Sequence, residues 1–184
     1  MTINDVSLTH HDGAEAAGLL EELCDTYAYA YGVGPGEQKT AAFRHRAEKQ
    51  FGRPGFALVA ARDGGRLVGF VFGYTLPAGD THWWGGVQPE PSAEFLRETG
   101  ARTWVLSEIE VRQAWQGKRV GRALHDAALG ARDEERATLA TGPDAAAQPV
   151  YESWGWRRVG RIPGDEGDYY SAYDLFVLEL PVSR

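Results

Sequence analysis

The stretch Trp115-Gln116-Gly117-Lys118-Arg119-Val120-Gly121-Arg122-Ala123-Leu124-His125 constrains this chain more than any other. Before it, Trp104 to Val111 reads as a strand; after it, Val120 to about Arg136 reads as a helix. A glycine-bearing turn between strand and helix aims several backbone N–H groups in one direction, because the first turn of an α-helix leaves about four of them without intrahelical acceptors. The helix dipole adds roughly half a positive charge at that end. Such a turn can hold phosphate, and Lys118, Arg119 and Arg122 bring side-chain cations to it. The dinucleotide fingerprint G-x-G-x-x-G and the ATP loop G-x-x-x-x-G-K-[ST] are both absent: Gly117 and Gly121 stand four apart, and no Lys-Ser or Lys-Thr follows. The turn alone is also compatible with a helix start that needs glycine only for tightness.

Composition narrows the classes. A chain of 184 residues suits one domain with a real core. The formal net charge of −7 argues against general nucleic-acid affinity, which needs a basic surface, and would suit a cationic, amine-bearing partner. No run of about 18 apolar residues is present, so no membrane span is expected. Met1 to Asp5 lacks the cationic and apolar segments of a signal peptide, and a single cysteine excludes an internal disulfide, so the cytoplasm is the expected compartment. Cys24 follows Leu23 in a helical pattern and reads as a small buried hydrophobe. The five histidines show no metal spacing, and no metal is expected; His125 is expected on the solvent side of its helix.

Along the chain, Ser7 to His10 could open with a strand, and Asp12 with Glu15 forms a capping box. Leu19, Leu20, Leu23 and Tyr27 recur at helical spacing, and a second helix runs from about Glu37 to Phe51. Phe56 to Arg62, Asp63-Gly64-Gly65 and Leu67 to Leu76 read as a hairpin. Pro77 to Gly100 is a long loop with a short helix from Pro91 and Ser92 to Arg97; its Trp83 and Trp84 suit either an acceptor lid or anchors on the core. In Thr103 to Val111, Trp104 and Leu106 fall on one parity and Ile109 and Val111 on the other. That predicts a β-bulge near Ser107 and Glu108, or else a strand buried on both faces. Ala137 to Thr141 completes a β-α-β crossover, which requires parallel strands. A short helix near Pro149 is capped by Gly155, and strands at Trp156–Ile162 and Tyr173–Leu180 close the chain. The expected fold is a mixed α/β sheet, mostly antiparallel, of about six or seven strands, flanked by about four helices in one domain.

Two separated motifs sharpen the function. Glu108-Ile109-Glu110-Val111 with Gln116 to Leu124, followed by Tyr151-Glu152-Ser153-Trp154-Gly155-Trp156, resembles the GNAT superfamily of N-acetyltransferases. The family turn runs Gln or Arg, two residues, Gly, one residue, then Gly or Ala. Gln116 and Gly121 match it, and Arg119 replaces the middle glycine. Tyr151, Gly155 and Trp156 fit the second signature, with Asp144 where an Asn is usual. The resemblance implies acetyl-CoA as donor. Its pyrophosphate would sit on the turn Gln116, Gly117, Lys118, Arg119, Val120, Gly121, Arg122 and Ala123. Its pantetheine arm would pair with the backbone of Ile109, Glu110 and Val111 on a strand that splays from its neighbour. Asp144 would be a further donor contact. A homodimer is compatible with it.

Acyl transfer to an amine needs a base, an oxyanion donor and an acid for the leaving thiolate. Glu108 is the candidate base, with Glu110 as the lesser choice. The backbone N–H near Val111 could serve the oxyanion. Tyr151 is the candidate acid, since a phenol of pKa about 10 can protonate a thiolate whose acid has pKa about 8.5. The expected reaction is acetylation of the primary amine of a small molecule. A catalytically silent acyl-CoA sensor, a Rossmann-type nucleotide binder and an acetyltransferase for protein N-termini or lysines are the rivals. Asp80, Glu90, Asp165, Glu166 and Asp168 are acidic loop residues of the solvated kind.

Overall fold

The computed structural model describes residues 6–181. The elements are β1 (Val6–His11), α1 (Gly13–Gly18), α2 (Leu20–Tyr31), α3 (Gln38–Gln50), β2 (Ala57–Asp63), β3 (Arg66–Thr75), α4 (Ala93–Leu96), β4 (Thr103–Val111), a 3₁₀ turn (Gln113–Trp115), α5 (Val120–Gly130), β5 (Arg136–Thr141), α6 (Gln148–Ser153), β6 (Arg157–Pro163) and β7 (Ala172–Glu179). The sheet has seven strands in the order β1-β2-β3-β4-β5-β7-β6. β4 and β5 pair in parallel, whereas the pairs β1–β2, β2–β3, β5–β7 and β6–β7 are antiparallel. The chain divides into two compact units, one holding the residues up to Tyr74 with Leu106–Arg132, the other Thr75–Val105 with the residues from Asp133.

In the first unit the capping box forms as expected. The Asp12 carboxylate accepts from Glu15 N–H at 2.9 Å, and Glu15 accepts from Asp12 N–H at 3.0 Å. The helix that follows is broken at Leu19 into α1 and α2, rather than continuous. A Cβ on Gly13 would meet the Phe51 carbonyl oxygen, so glycine lets the start of α1 lie against the end of α3. Gly32 ends α2 in the left-handed region that favours glycine. Leu23, Tyr27, Phe43 and Ala47 from α2 and α3 bury one face of β2 and β3 through Leu58, Ala60, Phe70 and Phe72. Tyr27 stacks on Phe43 at 4.3 Å between ring centroids. Cys24 lies in this core, and burial pushes its thiol pKa up, as suits a structural cysteine. Gly64 and Gly65 both take positive φ in the two-residue hairpin. Helix α5 packs on β1 and β2 and buries Val120, Leu124 and Ala128. A Cβ on Gly69 would sit 2.9 Å from the Glu110 carbonyl oxygen and 3.1 Å from Leu124, so only glycine fits between β4 and α5 there.

Two expectations for α5 are corrected. It ends at Gly130, not near Arg136: Gly130 is a poor helix interior residue, and Arg136 is drawn into β5. His125 is fully buried rather than solvent-facing. The buried arc runs from Val120, Leu124 and Ala128 round to His125 and Leu129, wider than one stripe. Burial lowers the His125 pKa, opposed by a 2.8 Å contact from Nδ1 to Asp126.

In the second unit, β4 and β5 pair in parallel over Thr103–Val105 against Arg136–Thr138. Thr103, Trp104, Val105 and Leu106 are all buried, so the start of β4 is covered on both faces. Trp83 and Trp84 are loop anchors, and the lid reading of this pair is set aside. Trp84 is buried and donates from Nε1 to Glu98 at 2.9 Å, and Trp83 donates from Nε1 to the Thr138 hydroxyl at 3.1 Å. Glu98 also accepts from Arg136 at 2.9 Å and from Thr103 at 2.9 Å, which makes a buried ion pair with supporting donors. Gln88 exchanges two backbone bonds of 2.9 Å with Arg161 and so partly covers the edge of β6.

Candidate functional site

The site grows from how the chain leaves β4. Arg112 is buried: its N–H bonds the Val68 carbonyl, while its guanidinium donates to Leu67 O (2.7 Å) and Asp25 (2.6 Å). This locks the end of β4 onto β3 and α2. The 3₁₀ turn follows, with Trp115 Nε1 donating to Asp63 at 3.1 Å. Gln116 Nε2 then donates to the Val111 carbonyl at 2.9 Å, stapling the turn back to the strand end. The first residue of the sequence motif is thus a structural clasp.

The turn reverses through two left-handed residues, Gly117 at φ 72° and Arg119 at φ 66°. Among the described residues Arg119 is the only non-glycine with positive φ. It occupies the position where the resembling family carries glycine, which explains that preference: a left-handed residue costs an L-amino acid roughly 1–2 kcal/mol. Arg119 is also the N-cap of α5, and its side chain caps nothing. Among the described residues, the nearby backbone bonds run from Trp115 to Arg112, Gln116 to Gln113 and Ala123 to Arg119. Among the described residues no backbone acceptor takes the N–H groups of Lys118, Arg119, Val120 or Gly121. These donors sit at the positive end of the α5 dipole, the arrangement that binds a phosphate. Lys118 and Arg119 are exposed, and Arg122 pairs with Asp126 at 2.9 Å.

Glu108 and Glu110 share one face of β4, as alternate strand residues must. Both meet the helical layer. Arg46 of α3 donates from Nε (3.1 Å) and Nη2 (2.9 Å) to Glu108, whose side chain is only 12% exposed. Tyr31 at the end of α2 donates its hydroxyl to Glu110 at 2.9 Å. The Lys39 ammonium lies 3.5 Å from the centre of the Tyr31 ring. Burial raises the Glu108 pKa, with Arg46 opposing. Burial and then the charge of Glu108 raise that of Glu110 well above the usual range, because two neighbouring carboxyls resist double ionisation. Burial pushes the Tyr27 phenol up to about 12, with Glu108 adding to the shift. Arg46, Tyr27, Tyr31 and Lys39 were not singled out as site residues from sequence. Arg46 follows Phe43 by three positions on α3, and that spacing is the signal that could have placed it beside the core. A cleft of about 710 Å³ nearby is lined by Glu22, Asp25, Tyr29, Arg66 and Trp115 and holds neither Glu108 nor Glu110.

In the second unit Tyr151 lies on α6, half-buried, with its ring centroid 6.1 Å from Trp154 and 6.3 Å from Trp156 in edge-on contacts. Pro149 stands in the first turn of α6, and Gly155 takes a positive φ just beyond it. Asp174 of β7, unmarked in the sequence reading, secures the start of α6. It accepts from Gln148 (3.0 Å), Arg158 (2.8 Å) and Arg161 (2.8 and 3.2 Å). Burial alone would raise its pKa, but these donors hold it well below the usual carboxylate range. Asp144 is exposed, and its charge raises the pKa of Arg161 after the larger effect of Asp174. Among the described residues no cluster of three or more His, Cys, Asp or Glu is placed to hold a metal, and no helix is long and apolar enough to cross a membrane.

Comparison with known proteins bears on the fold and the family. No curated protein matches the chain. Among solved structures, an aminoglycoside 6′-acetyltransferase of type Ii is 17% identical, with TM-score 0.63 over 97% of this chain and 99% of that one. An aminoglycoside 6′-N-acetyltransferase complexed with coenzyme A is 16% identical, with TM-score 0.62 over 97% and 98%. The ribosomal-protein-S18-alanine N-acetyltransferase of Escherichia coli is 16% identical, with TM-score 0.60 over 97% and 96%. At these identities the likeness is one of fold. The sequence itself matches the acetyltransferase (GNAT) family over residues 17–156. By that match across most of its length, the chain belongs to the acetyltransferase (GNAT) family.

Proposed function

We propose that the protein transfers an acetyl group from acetyl-CoA to the primary amine of a small molecule, in a complex that holds donor and acceptor together. The observation that carries this reading is the uncapped start of α5, where Gly117 and Arg119 turn the chain so that consecutive backbone N–H groups stand without backbone acceptors. The donor's pyrophosphate takes the amides from Gly117 to Gly121, with Gln116 clasping the turn and Lys118, Arg119, Arg122 and Ala123 at its rim. The pantetheine arm pairs with the backbone of Ile109, Glu110 and Val111. Asp144 is assigned to the donor side by family likeness alone.

The chemistry balances with residues of this chain. The amine nitrogen attacks the thioester carbonyl carbon, and its proton passes to Glu108, whose raised pKa suits a base. The oxyanion is met by the backbone N–H near Val111. The carbon–sulfur bond then breaks, and Tyr151 protonates the departing thiolate, giving free CoA and the amide.

Thiol release from acetyl-CoA in the presence of an amine panel tests this. Wild type releases CoA with at least one small amine, and Tyr151→Phe slows release by roughly 10²-fold while CoA affinity holds. Tight CoA binding without release from any amine would instead make the chain a silent sensor, and transfer only to peptides would make it a protein acetyltransferase.

A further inference from the structure

The carboxyl pair on β4 has an electrostatic setting that says which amine it takes. Glu108 and Glu110 bring two negative charges when both are ionised, and α3 sets two positive charges against them. Arg46 bonds Glu108 directly, and Lys39, above the Tyr31 ring, stabilises the ionised form of both carboxylates. With both ionised the four side chains sum to no net charge; because burial and mutual repulsion oppose that state in the free pair, it is an arriving ammonium that favours it. A polycation gains nothing from such a cluster beyond its first ammonium, and its other charges meet Arg46 and Lys39 at close range.

The arrangement also has a direction. Glu110 accepts from the Tyr31 hydroxyl, and among the described residues no guanidinium bonds it, so the ammonium-accepting end of the cluster lies at Glu110. Arg46 marks the other end. A guanidinium carries five N–H donors. Glu108 takes two of them on a single oxygen, and the Arg46 side chain is 46% exposed. That leaves donor capacity for one more anion beside the ammonium position. An acceptor with its amine and a carboxylate a few bonds apart would complete both ends at once. Tyr31, 45% exposed and backed by the buried Tyr27 at 4.7 Å between ring centroids, offers its carbon skeleton an aromatic surface.

Resting on the acetyltransferase reading above, we infer that Glu108, Glu110 and Arg46 form an acceptor subsite for an amino-acid-like molecule, its ammonium at the carboxyl pair and its carboxylate at Arg46. Polyamines and aminoglycosides are poor fits for it.

The test is acetyl transfer, read by thiol release, to free α- and ω-amino acids, to their methyl esters, and to spermidine and kanamycin. The esters keep the amine and the size but lose the carboxylate. An amino acid is expected to exceed its own ester at least tenfold in kcat/KM. Arg46→Met is expected to erase that preference, and Arg46→Lys to restore part of it. CoA affinity by calorimetry, unchanged in both variants, shows that they remain folded. An ester, spermidine or kanamycin preferred over every amino acid, with transfer otherwise intact, overturns the subsite alone. No release from any amine while CoA still binds overturns the subsite together with the transferase reading.

Discussion

Replacing Arg119 with Ala and with Gly isolates the backbone of the donor turn from its charge. Both variants lose the guanidinium equally, so any difference between them reports conformation. Arg119 sits at φ 66° and its side chain caps nothing. Alanine held there pays about 1–2 kcal/mol for the left-handed region, whereas glycine adopts it freely. Glycine loses about 0.4–1 kcal/mol of that advantage through the greater freedom of the unfolded chain. Arg119→Gly should therefore be more stable than Arg119→Ala by roughly 0.5–1 kcal/mol, the difference of those two costs. Urea unfolding at constant slope measures it. The same turn aims the amides, so CoA should also bind the glycine variant more tightly than the alanine variant. Equal stability, or a more stable alanine variant, would show that the left-handed turn is not held in solution and would remove the geometric basis for the phosphate site.

The remaining expectations concern the scaffold and the carboxyls. Gly69→Ala forces a Cβ against the Glu110 carbonyl and Leu124; a loss of about 1–3 kcal/mol from overpacking is expected, together with weaker CoA binding, by thermal unfolding and calorimetry. Asp174→Asn should cost on the order of 2 kcal/mol, below the roughly 3–5 kcal/mol of a fully buried ion pair because the half-exposed Arg158 and Arg161 can turn to solvent. Because the Asp174 pKa is depressed in the folded state, its contribution is present above the ordinary carboxylate range and is lost as pH falls through the folded value; stability against pH should be flatter in the variant on that acid side. Glu110 has the opposite sign. Its raised pKa stabilises the fold at low pH, and that contribution disappears as pH climbs through the raised value, so Glu110→Gln should remove a decline in stability above the usual carboxylate range.

Much of this architecture is legible in the sequence because it is written locally. Gly64 and Gly65 announce their hairpin, Asp12 and Glu15 their cap, and Gly117 to Gly121 the turn that opens α5, since each needs only neighbours within a few residues. What escapes is set by partners far along the chain. Arg136 reads as a polar helix end until Glu98 draws it into β5. His125 looks solvent-facing unless Leu129, four residues on, is counted with it as a second buried row. Arg46 and Tyr31 meet the candidate carboxyls only because folding sets them against Glu108 and Glu110, 62 and 79 positions away. Asp174 is one acidic residue in a strand until Gln148, Arg158 and Arg161 converge on it.

The most direct test of the account follows the backbone amides of the donor turn by ¹⁵N–¹H NMR as CoA is added. The amide resonances of Gly117 through Gly121 should shift together and saturate at the calorimetric stoichiometry, and dephosphorylated pantetheine, which lacks the diphosphate, should leave them in place. If CoA saturates the protein while those amides stay still, the diphosphate binds elsewhere and the central claim is wrong.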